Sequence, residues 1–167
     1  MGRSLPTLTI RAWPGAEPWM PSAAARQRLA SLLSGAVTVE LVPRASLPAL
    51  WRRDFPGQPM LPPYAFRAYA RGAKIVVLVD ETETPASVLW LLGHELAHTE
   101  LTRSKLLRAA YRSIPKPPGY MTDDDAHEAH PEEQAANLVA DRICDQEGFC
   151  ERGLDRRWWR ARVERLS

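Results

Sequence analysis

Along the first third of the chain, apolar and polar residues alternate, and later they switch to a helical spacing. Thr7-Leu8-Thr9-Ile10-Arg11-Ala12 and Val37-Thr38-Val39-Glu40-Leu41-Val42 alternate in the manner of half-buried strands. Between them, Ser22 precedes Ala23-Ala24-Ala25 and a run to Leu33, with Gly35 beyond. That order predicts a helix capped by Ser22 and stopped by Gly35. Pro48, Pro56, Pro59, Pro62 and Pro63 forbid long regular elements in the next stretch, apart from a short turn of helix around Leu50. Tyr64 to Ala70 is read as a short strand. Lys74-Ile75-Val76-Val77-Leu78-Val79-Asp80 is almost continuously apolar, which predicts a central strand.

The second half reads as helices. Thr84 and Pro85 give a cap and a first helical position, and the helix they open runs to about Arg103. Ser104 to Arg112 is helical, as a continuation or a new start. Ile114-Pro115-Lys116-Pro117-Pro118-Gly119 is a proline-rich loop. Asp125 to Glu147 reads as another helix, kinked or restarted at Pro131 and stopped by Gly148. A last basic, aromatic helix is expected from Leu154 to Arg165.

Composition narrows the class without naming a partner. At 167 residues the chain suits one domain, 1–167, with a sizeable core. No stretch approaches the roughly 18 consecutive apolar residues of a membrane span. Met1 to Ile10 lacks the apolar core of a secretory leader. Cys144 and Cys150 make neither a disulfide framework nor a thiolate metal site. These features lead us to expect a reduced, cytoplasmic protein with no membrane association. The net charge of +2 is uninformative, but arginines crowd the C-terminus beside Trp158-Trp159. Arginines snorkelling around a docked tryptophan pair explain that better than a nucleic-acid surface.

Chemistry concentrates in His94-Glu95-Leu96-Ala97-His98, inside an apolar helical segment. Residues four apart on a helix lie one above the other, so both imidazoles can address one metal ion with Glu95 beside them. The plainer alternative, two unrelated helix histidines, conflicts with the cost of burying unsatisfied imidazoles. The pattern therefore points to a zinc metallopeptidase. A catalytic zinc usually takes three protein ligands and leaves one position for water. A further histidine six residues on is excluded, because Leu101 and Ser104 occupy the positions that pattern requires to be Gly and His. The third ligand must then be a glutamate from a later helix: Glu128, Glu132 or Glu133. Glu133 shares a stripe with Ala136, Ala140 and Cys144, and Glu132 one with Ala136, Val139 and Ile143. Spacing separates the two only slightly, in favour of Glu133.

The segment Leu91-Leu92-Gly93-His94-Glu95-Leu96-Ala97-His98, followed by Glu133-Gln134-Ala135-Ala136-Asn137-Leu138-Val139-Ala140, resembles the ImmA/IrrE metallopeptidases. Their second motif is close to E-x-x-A-N-x-F-A. This chain matches it at Glu133, Ala136, Asn137 and Ala140, with Val139 where Phe is usual. The resemblance covers about Lys74 to Gln146 and leaves the N-terminal part unassigned. It implies an α+β, zincin-like metallopeptidase domain, with a small twisted sheet packed on the HExxH helix and a second ligand-bearing helix. It also implies zinc on His94, His98 and Glu133, and the biology of bacterial or phage-associated peptidases that cleave or control transcriptional repressors.

In that reading Glu95 is the general base and not a ligand. The oxyanion needs a second donor, for which Tyr120 and His127 rank equally, each with an ordinary loop or helix-surface role as the plainer explanation. His130, before Pro131, is read as structural. Asn137, Asp141 and Glu100 are candidates to fix the ligand imidazoles. The substrate is a protein or peptide, such as a transcriptional repressor. The rival function is a non-catalytic zincin-fold module acting through protein or nucleic-acid contacts. Finally, Tyr64–Ala70 is expected at a sheet edge bordering the substrate groove, with Ile114 to Tyr120 as the opposite rim.

Overall fold

The computed structural model describes residues 6–60, 67–120 and 124–148. Four strands form one mixed sheet: β1 (Leu8–Ala12), β2 (Val37–Pro43), β3 (Ala68–Arg71) and β4 (Lys74–Val79), in the order β1-β2-β4-β3. β1, β2 and β4 run parallel, and β3 returns antiparallel along β4. Parallel strands need a crossover, and α1 (Ala23–Ser31) supplies the first. Ser22 caps it by accepting from the Ala25 N–H at 3.1 Å. The helix ends at Ser31, short of the expected Leu33. Gly35 does not act as its stop; it lies against the Arg103 guanidinium, where a Cβ would come within 3.1 Å of Nη1.

β4 is the central strand the apolar run predicts, buried from Ile75 to Val79. Its alternate residues feed two cores. Ile75, Val77 and Val79 join β2, α1 and the helices carrying the site; Val76 and Leu78 join Val42, Leu47, Leu50 and Trp51 on the other face. That other face is covered by α2 (Leu47–Asp54), two turns long. Pro48 does not prevent it, because a proline in the first turn displaces no helical hydrogen bond.

β3 is the edge strand. Tyr64 to Phe66 of the expected strand lie outside the described residues. Arg67, just before β3, is buried at 7% exposed, with its Nη2 2.8 Å from Glu83 Oε2. Glu83 also accepts from the Ser87 hydroxyl at 2.6 Å, while Arg44 donates to Asp80 at 2.8 Å. This ionic clamp fixes the turn between β4 and α3 (Pro85–Arg103). Thr84 and Ser87 cap α3 reciprocally, each side chain bonding the other's backbone N–H.

α4 (Lys105–Arg112) is a new helix, started by Ser104 in extended conformation and not a continuation of α3. The expected helix over Asp125–Glu147 is two: α5 (Asp124–Glu128) and α6 (Pro131–Gln146). Pro131 restarts the chain, and His130 is the N-cap, its Nδ1 accepting from Glu132 N at 3.3 Å. α6 lies along α3. The described residues are thus mixed α and β, with a four-stranded sheet and six α-helices. Among them no helix is long and apolar enough to cross a membrane. The C-terminal helix expected from Leu154, and Cys150, lie outside the described residues.

Candidate metal centre

The site forms where α3 meets α6, and small residues let them meet. A Cβ on Gly93 would stand 3.0 Å from the Ala140 Cα, so the two backbones almost touch one residue before His94. On α6 the buried residues are Glu133, Ala136, Ala140, Ile143 and Cys144. Burial separates the two glutamate stripes: Glu133, 4% exposed, faces α3 with the alanines, while Val139 of the rival stripe is only half-buried. Both glutamates occupy the first turn of α6, where the helix dipole favours a carboxylate.

Three side chains converge. His94 Nε2 and His98 Nε2 are 3.0 Å apart, and Glu133 Oε2 lies 3.4 Å from the first and 3.0 Å from the second. Donors bonded at about 2.0–2.1 Å to a tetrahedral ion stand about 3.3 Å apart, so the triangle has the size that such an ion needs. His94, His98 and Glu133 form a group that could hold a metal ion, and His127 is not in it.

The outer contacts fix which ring nitrogen faces inward. His94 Nδ1 meets Asn137 Oδ1 at 2.9 Å, and His98 Nδ1 meets Glu132 Oε1 at 3.0 Å. Both partners are oxygen acceptors, so each Nδ1 carries the proton and each Nε2 turns a lone pair inward. Two lone pairs and a carboxylate oxygen then point at one another, which is unfavourable unless a cation lies among them. Among the described residues no lysine or arginine pairs with Glu95, Glu132 or Glu133. In the metal-free chain a proton takes that part. Burial disfavours the His98 cation, but hydrogen bonds to Glu132 and Glu133 outweigh it and push its pKa up to about 10. Burial works against the Glu133 carboxylate too, yet His127, His94 and His98 hold it well below the usual carboxylate range.

Of the three candidate orienting residues, Asn137 touches His94 directly. Asp141 acts one step further out: it accepts from Trp90 Nε1 at 2.8 Å, and the Trp90 ring stacks on His94 with centroids 5.1 Å apart. Glu100 does not serve the site; it binds Ser34 and Arg103. Glu132, weighed from sequence only as a ligand, is the His98 partner. The i, i+34 spacing carried no signal for that role.

Tyr120 and His127 both reach the centre, with different access. Tyr120 is buried and donates its hydroxyl to Glu133 Oε1 at 2.5 Å. Burial and Glu133 push its pKa up, so it stays a donor. His127 packs on the Tyr120 ring and donates Nδ1–H to the Tyr120 carbonyl at 3.1 Å. Its Nε2 stands 3.2 Å from Glu133 Oε2, and its side chain remains 40% exposed. Glu95 is half-buried; loss of hydration raises its pKa, offset in part by His94 and His98. No family model, curated protein or solved structure matches the chain in comparisons with known proteins.

Proposed function

We propose that the protein is a zinc-dependent endopeptidase acting on a protein substrate, such as a transcriptional repressor. The observation that carries this is the triangle of His94 Nε2, His98 Nε2 and Glu133 Oε2, with its size and inward lone pairs. Two imidazoles and one carboxylate are a donor set suited to zinc, and three protein ligands leave a position for water. A purely structural zinc would be closed by a fourth protein ligand. The repressor substrate is supported by the likeness of HELAH and Glu133-x-x-Ala136-Asn137 to the ImmA/IrrE motifs.

The chemistry that zinc supplies when bound is Lewis acidity toward a water and toward the substrate carbonyl. The chain's own residues do the rest. Glu95, beside both imidazoles on the same helix, takes the proton from the attacking water. Tyr120 holds Glu133 through Oε1 and leaves Oε2 for the ion. His127, half-exposed and braced on the Tyr120 carbonyl, is the better placed of the two to donate to the developing oxyanion.

The test is metal content and cleavage together. Purified protein should carry about one zinc per chain. Glu95→Gln should keep that zinc and lose roughly 10²–10⁴-fold in cleavage of an unfolded protein substrate, the usual share of a general base. Zinc-free protein after zinc-replete expression, or undiminished cleavage by Glu95→Gln, would overturn the proposal.

A further inference from the structure

A groove of about 430 Å³ lies beside the centre, between the end of α3, α4 and the loop at Ile114 to Lys116. Its floor is Leu101 and Thr102, three and four residues past His98 and so one turn along the same face of α3. Glu132, the His98 partner, lines its inner end with His130. The groove therefore begins where the metal ligands stop, about one helical turn, or ~5 Å, away.

Its walls are cationic: Arg108 and Arg112 from α4 and Lys116 from the loop. Both arginine side chains are exposed, and among the described residues neither has an ion pair. Lys116 rests over the Tyr120 ring, Nζ 4.0 Å from its centroid. The single acid in the lining, Glu132, is committed to His98. Three cations and one carboxylate line the groove, an excess of positive charge.

His130, at the same end of the lining, is a structural residue. Its Nδ1 accepts the Glu132 N–H, so the ring proton is on Nε2. The residue is 2% exposed, and Nε2 has no hydrogen-bond partner. A buried donor without an acceptor is costly and rare, but Nε2 is sealed from solvent, so what the groove offers an anion is its cations.

We propose that this groove is the subsite for an acidic side chain of the substrate, so that the protein selects segments with Asp or Glu close to the bond it cuts. The proposal rests on the peptidase reading for its role, but binding tests it without cleavage. Zinc-loaded Glu95→Gln protein would be titrated with short fluorescein-labelled peptides, amidated at the C-terminus and containing Asp and Glu, or Asn and Gln at the same places. The acidic series should bind about tenfold more tightly at low salt, a difference of ~1.4 kcal/mol, and less so as salt screens the charges. Arg108→Glu with Arg112→Glu should abolish or invert the preference; both positions are exposed, and an unchanged zinc content confirms the fold. Equal binding of the two series overturns the assignment. So does a preference seen only with a free C-terminus, which would give the groove to a chain end, or tighter binding of an oligonucleotide of equal charge. Failure of wild-type protein to cut any peptide while the acidic preference persists would sink the peptidase and leave the groove standing.

Discussion

Two charged clusters flank the sheet, and they balance their charge in opposite ways. Over α2, Asp54 accepts from Arg53 at 2.7 Å, Tyr69 at 2.9 Å and Lys74 at 3.1 Å, and Glu40 binds the same two cations at 3.0 and 3.3 Å. Arg71 closes the arrangement on the Asp54 carbonyl. Two carboxylates meet two cations, and nothing from outside is required. Between α3 and α6, Glu133 and Glu132 meet imidazoles, whose lone pairs point at one another, and the neutral Tyr120 hydroxyl, but no lysine or arginine among the described residues. The closed cluster is complete in itself, and the open one could hold a metal ion. The lesson is that acids near bases do not distinguish the two; the arithmetic of donors and acceptors does.

The sharpest way to break the comparison is to remove a donor from the open cluster. His98→Ala or Glu133→Ala should reduce the metal content after dialysis to background. The loss should exceed the roughly 10–100-fold that outer hydrogen-bond partners contribute. Retained stoichiometry would mean the ion is held elsewhere. The same cluster should be pH-linked. In metal-free protein the His98 pKa is raised to about 10. Its contribution to stability is fully present below the unfolded value of about 6.5 and is lost as pH rises through about 10. A metal must displace that proton, so apparent metal affinity should climb with pH; a pH-independent affinity would contradict the arrangement.

A smaller effect is expected from the partners of the ligands. Asn137→Ala and Glu132→Gln should each weaken metal binding about 10–100-fold while leaving the stoichiometry at saturation unchanged, as competition with a chromogenic chelator would read. The closed cluster should respond in stability alone. Asp54→Asn should cost about 2 kcal/mol, the scale of a charge-assisted hydrogen bond, with no change in metal affinity. Hydrogen bonds from Arg53 lead in holding the Asp54 carboxyl below its usual range. Its contribution is present above the unfolded pKa of about 4 and fades as the solution is made more acidic. Thermal melts of wild type should therefore fall more steeply than those of Asp54→Asn below pH ~4. Parallel curves would remove Asp54 from the account.

The least effect, but a discriminating sign, belongs to Gly93. In an isolated helix, Gly→Ala stabilises by about 1 kcal/mol. Here the new methyl meets the Ala140 Cα at 3.0 Å, backbone that cannot give way without parting α3 from α6. Net destabilisation by about 1 kcal/mol is expected, together with weaker metal binding, because overpacking outweighs propensity. A more stable variant would show the helices to be less close than the structure has them.

How far the sequence reveals this architecture depends on whether the information is local. Strand alternation, the caps at Ser22 and Thr84 and the HExxH spacing are properties of neighbouring residues, and all are legible. So is the small-residue stripe that turns Glu133 toward α3, though its rival Glu132 was separable only by burial. The roles that escaped are joined through space. Arg67 reads as a polar residue on an edge strand until Glu83, 16 residues later, is placed beneath it. Glu132 reads as a spare ligand until His98 Nδ1 is seen to need an acceptor. The closed Asp54 cluster joins β2, α2, β3 and β4, and no periodicity announces it.

The placement of the ligands on two helices has a further consequence, in the currency of supply. His98 and Glu133 are 35 residues apart in the chain, and the unfolded chain has no reason to hold them together. An ion bound only by the folded form adds RT ln(1 + [M]/Kd) to its stability, about 2.7 kcal/mol when free metal stands at a hundred times Kd. Such an ion, held by His94, His98 and Glu133, would be a reversible cross-link between α3 and α6, present in plenty and withdrawn in scarcity. The lifetime of the folded protein would then follow the concentration of available metal.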